Sequence, residues 1–201
     1  MPMGYVIVGL GNPEPQYAKT RHNAGRMAVE VLATQEGFPA FVLKKTAHAL
    51  VSEGRIGGEK VTLVLPEVSM NLSGKALPAF VKSKPAAKKL LVIRDELDLP
   101  LGTLKMTTYG RGSGGHKGIE SIMRALKTKD FLQMKIGISG ETAKGKLKKP
   151  TAGEKVVTHV IGKFKPTEEK ELKDVLARAA ASVVLLVSDS AEAAFMKANT
   201  K

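Results

Sequence analysis

The sequence predicts an α/β fold: one globular domain with a mixed, twisted β-sheet flanked by α-helices. Three observations predict it. Short β-branched apolar runs alternate with segments of helical periodicity, the order that builds layered α/β domains. The pair Gly57-Gly58 separates two strand-like runs, and a hairpin there makes the sheet mixed rather than wholly parallel. The length, 201 residues with 43% apolar content, suits a single domain over 1–201 with one sizeable core.

The elements follow in order. Tyr5–Leu10 reads as a buried strand closed by Gly9 and Gly11. Ala24, Met27, Ala28, Val31 and Leu32 recur at helical spacing, and Gly37 ends that helix. His48–Ile56 and Glu59–Leu65 are the two hairpin strands. Leu72, Ala76, Leu77, Phe80 and Val81 predict a short helix after MNLSG, marred by Pro78. Leu90–Ile93 is a short buried strand running into the acidic cluster DELD, and Thr103–Tyr109 and Met134–Ser139 are further strands. Between these two, Ile119, Ile122, Met123 and Leu126 mark a helix opening out of GRGSGGHKG. Residues 140–155, GETAKGKLKKPTAGEK, are polar and lysine-rich and predict a mobile surface loop. C-terminal helices start from about residue 167. The first carries one stripe from Leu172 to Val187 with Glu168 and Glu169 in its first turn, and a short last helix starts after Ser190.

Lys plus Arg total 32 against 19 acidic residues, giving a net charge of +13 and a pI near 9.9. That balance favours a polyanionic partner, nucleic acid ahead of an anionic membrane. Aromatic residues are only 4%, which argues against a stacking platform for single strands and for phosphate contacts to a folded RNA. The absence of cysteine removes disulfides, a thiol nucleophile and a thiolate zinc site. The four histidines are scattered without a helical i, i+4 pair, so neither a metal nor a cofactor is expected. No apolar run approaches the roughly 18–20 residues of a membrane span, and MPMGYVIVGLG enters a strand at once, so the expectation is a cytosolic protein without a membrane partner.

Gly9-Leu10-Gly11 invites a dinucleotide reading that fails, because the third glycine position holds Glu14 between two prolines. Asn12-Pro13 instead looks like a tight turn at the carboxyl edge of a strand, where open α/β sheets keep their sites. His22 either borders a helix or acts as a base. The second reading gains from Asp95, which follows a strand and belongs at the same edge, where its carboxylate would fix the tautomer of the imidazole. Nothing reads G-x-S-x-G, so water activated by histidine is the obvious nucleophile. Asn71 of MNLSG offers an amide for a peptide-like group or an oxyanion, or is an ordinary helix-start residue. The loop GRGSGGHKG opens a helix whose N–H groups would cradle an anion.

Together the stretches GLGNPEPQYAKTRHNAG, MNLSGKAL, RDELDLPLG and GGHKGI resemble the bacterial-type peptidyl-tRNA hydrolases, from about Tyr5 to Phe164 and in that family's order and spacing. The resemblance implies a monomeric, metal-free enzyme that cleaves the ester between a peptide and the 3′ ribose of tRNA, and so frees tRNA for reuse. It implies catalytic roles for His22 as base, Asp95 as its orienter and Asn12 as the residue positioning substrate and water. It places Asn71, Tyr17, Met70, His116 and Lys117 at the substrate, and Lys105, Lys135, Lys144 and Lys146 against the acceptor stem and CCA end.

Two departures from the family pattern stand out. GGHKG replaces the usual GGHNG, so Lys117 stands where the family has asparagine, bringing a charge and no acceptor. The family's clamp on the tRNA 5′ phosphate has Lys135 for its arginine and Thr107 for its lysine, leaving Lys105 or the lysines of 144–149 as substitutes. The rival reading is an RNA-binding protein on the same scaffold with altered or lost catalysis. A more distant one is a hydrolase of another carboxyl ester or amide.

Overall fold

The structure, a computed structural model, describes residues 4–150 and 153–200. Strand β1 (Tyr5–Gly9) leads through short 3-10 turns at Pro15–Tyr17 and Arg21–Asn23 into helix α1 (Ala24–Gln35), which ends before Gly37 at φ +64°. Then come β2 (Val42–Lys44), β3 (Ala49–Ile56) and β4 (Glu59–Pro66), the last two joined by Gly57 and Gly58 with φ of +55° and +84°. Two consecutive positive φ values are what a tight two-residue hairpin turn requires, and glycine reaches them without strain.

The expected helix after MNLSG is a 3-10 helix, Met70–Ala79, with Pro78 inside it. Helix α2 (Lys84–Ala87), β5 (Leu90–Pro100), β6 (Leu104–Thr107), α3 (Lys117–Leu126) and β7 (Leu132–Glu141) follow. The chain closes with β8 (Leu147–Lys148), α4 (Glu154–Ile161), α5 (Glu169–Ser188) and α6 (Ala191–Asn199), the last capped by the Ser190 hydroxyl. Among the described residues no helix is long and apolar enough to cross a membrane.

Two expectations change. The acidic cluster DELD does not follow β5 but lies within it, because β7 runs alongside as a partner, Asp95 opposite Ile136 and Glu96 opposite Gly137. Residues 140–155 are not one featureless loop. Gly140 and Glu141 pair with Lys148 and Leu147 as a hairpin, Glu154 and Lys155 already belong to α4, and Thr151 and Ala152 fall outside the described residues.

The sheet order is β2-β3-β4-β1-β5-β7-β6, with β8 on β7. Its centre is parallel (β4, β1, β5, β7) and its flanks antiparallel. Strand alternation sorts the core into two layers. Ile7, Leu91, Ile93, Met134 and Ile136 face α1, α5 and α6, while Val6, Val8, Leu90 and Val92 face α3 and the 3-10 helix. Both faces of the central strands are covered, which is why they read as unbroken apolar runs.

One close approach fixes the carboxyl edge of the sheet. A Cβ on Gly25 would run into the Ile93 carbonyl and lie 2.9 Å from the Leu10 nitrogen. The backbones are locked there by hydrogen bonds from Arg26 N to Leu10 O at 2.9 Å and from Leu10 N to Ile93 O at 3.0 Å. Gly25→Ala is therefore expected to destabilise the fold by about 3 kcal/mol, since backbone rather than a movable side chain would have to yield. Urea unfolding checks this, and an unchanged midpoint would refute it.

Candidate active site

The turn Arg21–Asn23 and strand β5 bring His22 and Asp95 together from 73 residues apart, with Nδ1 of His22 2.8 Å from Oδ1 of Asp95. The turn is anchored on both sides. Arg21 N donates to Gly162 O at 2.9 Å, Thr20 bridges to Lys163, and the Arg21 guanidinium pairs with Glu168 at 2.7 Å and donates to Ile138 O. On its other side Asn23 is tied reciprocally to Asn12: Asn12 N donates to Asn23 Oδ1, and Asn23 Nδ2 donates to Asn12 O, both at 2.9 Å.

A second imidazole completes the cluster. His116 Nε2 lies 3.0 Å from the same Asp95 Oδ1, and the two rings are 5.1 Å apart, tilted by 44°. His116 is the N-cap of α3, and its Nδ1 accepts from Gly118 N at 3.2 Å and Ile119 N at 3.4 Å. A nitrogen that accepts carries no proton, so the proton of His116 sits on Nε2, which donates to Asp95. The cap also uses the N–H groups of α3 expected to cradle an anion; they donate to the ring of His116, which takes the anion's place.

The charges follow from this geometry. Burial drags the His22 pKa down, but the Asp95 carboxylate, by its charge and its hydrogen bond, outweighs burial and raises it above the ordinary 6.5. Burial also pushes Asp95 up, and the two imidazoles more than reverse this, holding its carboxyl well below the usual range. For His116 burial wins and its pKa is lowered, in keeping with a neutral ring. His22, Asp95 and His116 are also, among the described residues, a trio with potential metal-ligand atoms within 4.8 Å of one another. The tautomer imposed on His116 leaves no lone pair on the nitrogen facing the cluster, so the trio is satisfied as a hydrogen-bonded chain rather than as a ligand set.

The cluster borders a cavity of about 510 Å³. Asn12, Asn71, Met70, His116 and Lys117 line it beside His22 and Asp95. Asn12 Oδ1 accepts from Met70 N at 2.8 Å, which leaves its amide NH₂ as the free end. Asn71 is exposed on the first turn of the 3-10 helix. Lys117 is 70% exposed with Nζ 3.5 Å from Glu120, so its charge stands at the rim and not against His22. Opposite, Val156, Val157, Val160 and Ile161 of α4 make an apolar wall.

Other sequence-derived positions lie elsewhere. Tyr17, Lys105, Lys135, Lys144 and Lys146 do not line the cavity. Lys135 is tied to Glu96 at 2.9 Å, and Glu96 also pairs with the buried Arg94 at 3.1 Å. Burial raises the Glu96 pKa, but Arg94 and Lys135 outweigh it and lower it. Arg94 in turn donates to Asp95 O at 2.8 Å, buttressing the strand that carries the carboxylate. The sequence reading passed over Asn23, this Arg94–Glu96–Lys135 network and the α4 wall. Only the last left a signal, the helical spacing of apolar residues in EKVVTHVI.

Comparison with known proteins gives the family. The family model for peptidyl-tRNA hydrolase matches residues 6–201. A protein named peptidyl-tRNA hydrolase from Brevibacillus brevis is 39% identical over 186 residues, covering 92% of each chain. One from Cytophaga hutchinsonii is 38% identical over 200 residues, covering 99% of this chain and all of its own. The crystal structure of the peptidyl-tRNA hydrolase from Acinetobacter baumannii superposes with a TM-score of 0.86 at 35% identity, covering 100% of this chain and 96% of that one. A match running from the first strand to the C-terminus, shared in both sequence and backbone, leaves one conclusion: this chain belongs to the peptidyl-tRNA hydrolase family.

Proposed function

We propose that the chain hydrolyses the ester joining a peptide, or an N-blocked aminoacyl group, to the 3′ ribose of tRNA, with water as nucleophile. The observation that carries this is the His22–Asp95 pair bordering the cavity. Asp95 accepts from Nδ1–H and so keeps the proton off Nε2 of His22, which takes a proton from water. The hydroxide adds to the ester carbonyl, and the tetrahedral intermediate collapses as the imidazolium returns that proton to the departing ribose 3′ oxygen. The products are free tRNA and a peptide carboxylic acid, which releases its proton to solvent to give the carboxylate.

His116 is better read as a positioning residue than as a substrate contact, because both its nitrogens are engaged within the protein. The amide NH₂ of Asn12, its oxygen already committed to Met70 N, serves as donor to the developing oxyanion. Asn71 holds the adjacent peptide group. Lys117, at the rim, is placed to meet phosphate rather than the reacting carbon. The α4 wall suits apolar peptide side chains, and Tyr17 with the exposed Lys105, Lys144 and Lys146 suits the acceptor stem and CCA end. Lys135 already answers Glu96 and contributes less there. His22, Asp95, Asn12 and Asn71 of one chain border the same cavity, so the proposed reaction needs no second copy. No observation at the site favours the inactive RNA-binding reading, since the pair is intact despite Lys117.

Selectivity follows from charge. A free aminoacyl-tRNA presents an ammonium where a peptidyl substrate presents a neutral amide. The carboxylates at the cavity are already engaged, Asp95 by two imidazoles, Glu96 by Arg94 and Lys135, and Asp98 by Lys149, which leaves that ammonium desolvated without a counter-ion of its own. N-acetyl-aminoacyl-tRNA should therefore be cleaved at least about 100-fold faster than the same tRNA with a free amine. Parallel kcat/KM measurements check this, and equal rates, or no turnover of the blocked ester, would overturn the reading.

A further inference from the structure

A second groove lies at the other end of the molecule. The 3-10 helix Met70–Ala79 leaves the carboxyl edge of the sheet and runs toward the start of β5, and α3 leaves the same edge and runs toward the start of β7. They pack side by side, Gly74 against Ser121, so their far ends meet at the amino edge of the sheet. Ten residues of α3 put that end about 15 Å from His116. There Lys82, Lys84 and Lys127 line a groove of about 490 Å³, with Ser83 beside them and Val81 and Leu126 among the apolar residues beneath.

The charge there is one-sided. From Val68 to Arg94 the sequence carries no aspartate or glutamate, and the same holds from Ser121 to Lys129. Among the described residues none of Lys82, Lys84 and Lys127 has a carboxylate within ion-pair distance, although pairs form at Lys60, Lys89, Lys117, Lys135 and Lys149. One lysine complements the C-terminal carbonyls of α3. Three unpaired ammoniums around one concavity form an anion site, and their spacing over two chain segments fits a polyanion rather than a single small ion.

We propose that this groove is a second RNA-backbone site, engaging phosphates of the tRNA body while the 3′ end occupies the cavity. The proposal rests on the peptidyl-tRNA reading. A tRNA whose terminus reaches His22 has to leave the cavity over some face of the protein. The path along α3 and the 3-10 helix is a face without acidic residues beyond Glu120, with Lys75 and Arg124 exposed on the way. The groove then adds affinity for whole tRNA and contributes nothing to cleavage of the ester itself.

The test is the triple variant Lys82→Gln, Lys84→Gln, Lys127→Gln, compared with the native protein in binding deacylated tRNA over a salt series. Losing three phosphate contacts should weaken binding about 10- to 100-fold at low salt and flatten the log Kd against log salt slope by about 2–3. Hydrolysis of an N-acetyl-aminoacyl ester on a CCA trinucleotide should be unchanged. Native affinity and slope in the variant would overturn the proposal, as would an equal loss on the trinucleotide. Loss of binding to anionic phospholipid vesicles with tRNA binding intact would assign the groove to a membrane and overturn it as well. Failure of the hydrolase reading looks different: the native protein would leave the trinucleotide ester uncleaved.

Discussion

His22→Ala is expected to lower kcat by about 10³-fold, the scale of a lost general base, while leaving the Kd for tRNA within about twofold. The separation is possible because the imidazole touches Asp95 within the protein, whereas the exposed Lys105, Lys144 and Lys146 lie outside the cavity it borders. Removing it leaves Asp95 still bonded to His116 and the turn still held by Arg21. Single-turnover cleavage of N-acetyl-aminoacyl-tRNA and binding of deacylated tRNA supply the two numbers. A variant that retained a tenth of native kcat would rule His22 out as the base.

The second large effect is at Asp95. Asp95→Asn keeps an oxygen for both rings to donate to, removes the charge and turns the second oxygen into an NH₂ group. We expect kcat/KM to fall by about 10²–10³, because the imidazolium formed in the transition state loses its counter-ion. The pH profile carries the sharper sign. The base works deprotonated, and Asp95 raises its pKa, so native activity climbs with pH through a midpoint above 6.5. In Asp95→Asn the charge that raises the pKa is gone while burial still lowers it, so the midpoint must move down. A slower enzyme with an unmoved midpoint would mean that the carboxylate orients the ring but does not set its charge.

Much of this was legible in the chain itself. Gly57-Gly58 announced the hairpin because only glycine tolerates two successive positive φ angles cheaply. His22 and Asp95 were paired on the ground that strand ends converge at one sheet edge, and they do. What the sequence hid was long-range. DELD reads as a loop because charged residues seldom sit in strands, yet β7 supplies the partner, and Arg94 and Lys135 supply the charges that let Glu96 be buried. The hydrogen bond of His116, the N-cap of α3, to Asp95 of β5 likewise joins segments apart in the chain. Helix α4 escaped notice because its eight residues follow a lysine-rich stretch whose polarity masked the onset of the pattern.

The backbone link between Arg21 and Gly162 has a consequence for how such a cavity is remodelled. The wall that would greet an incoming peptide and the nitrogen that would attack through water are built on abutting segments, like two jaws cast in one piece. Sliding the wall outward to admit a bulkier guest would pull the reactive ring off its carboxylate. Trimming side chains at Val156, Val157, Val160 or Ile161 gains room without moving that shared backbone.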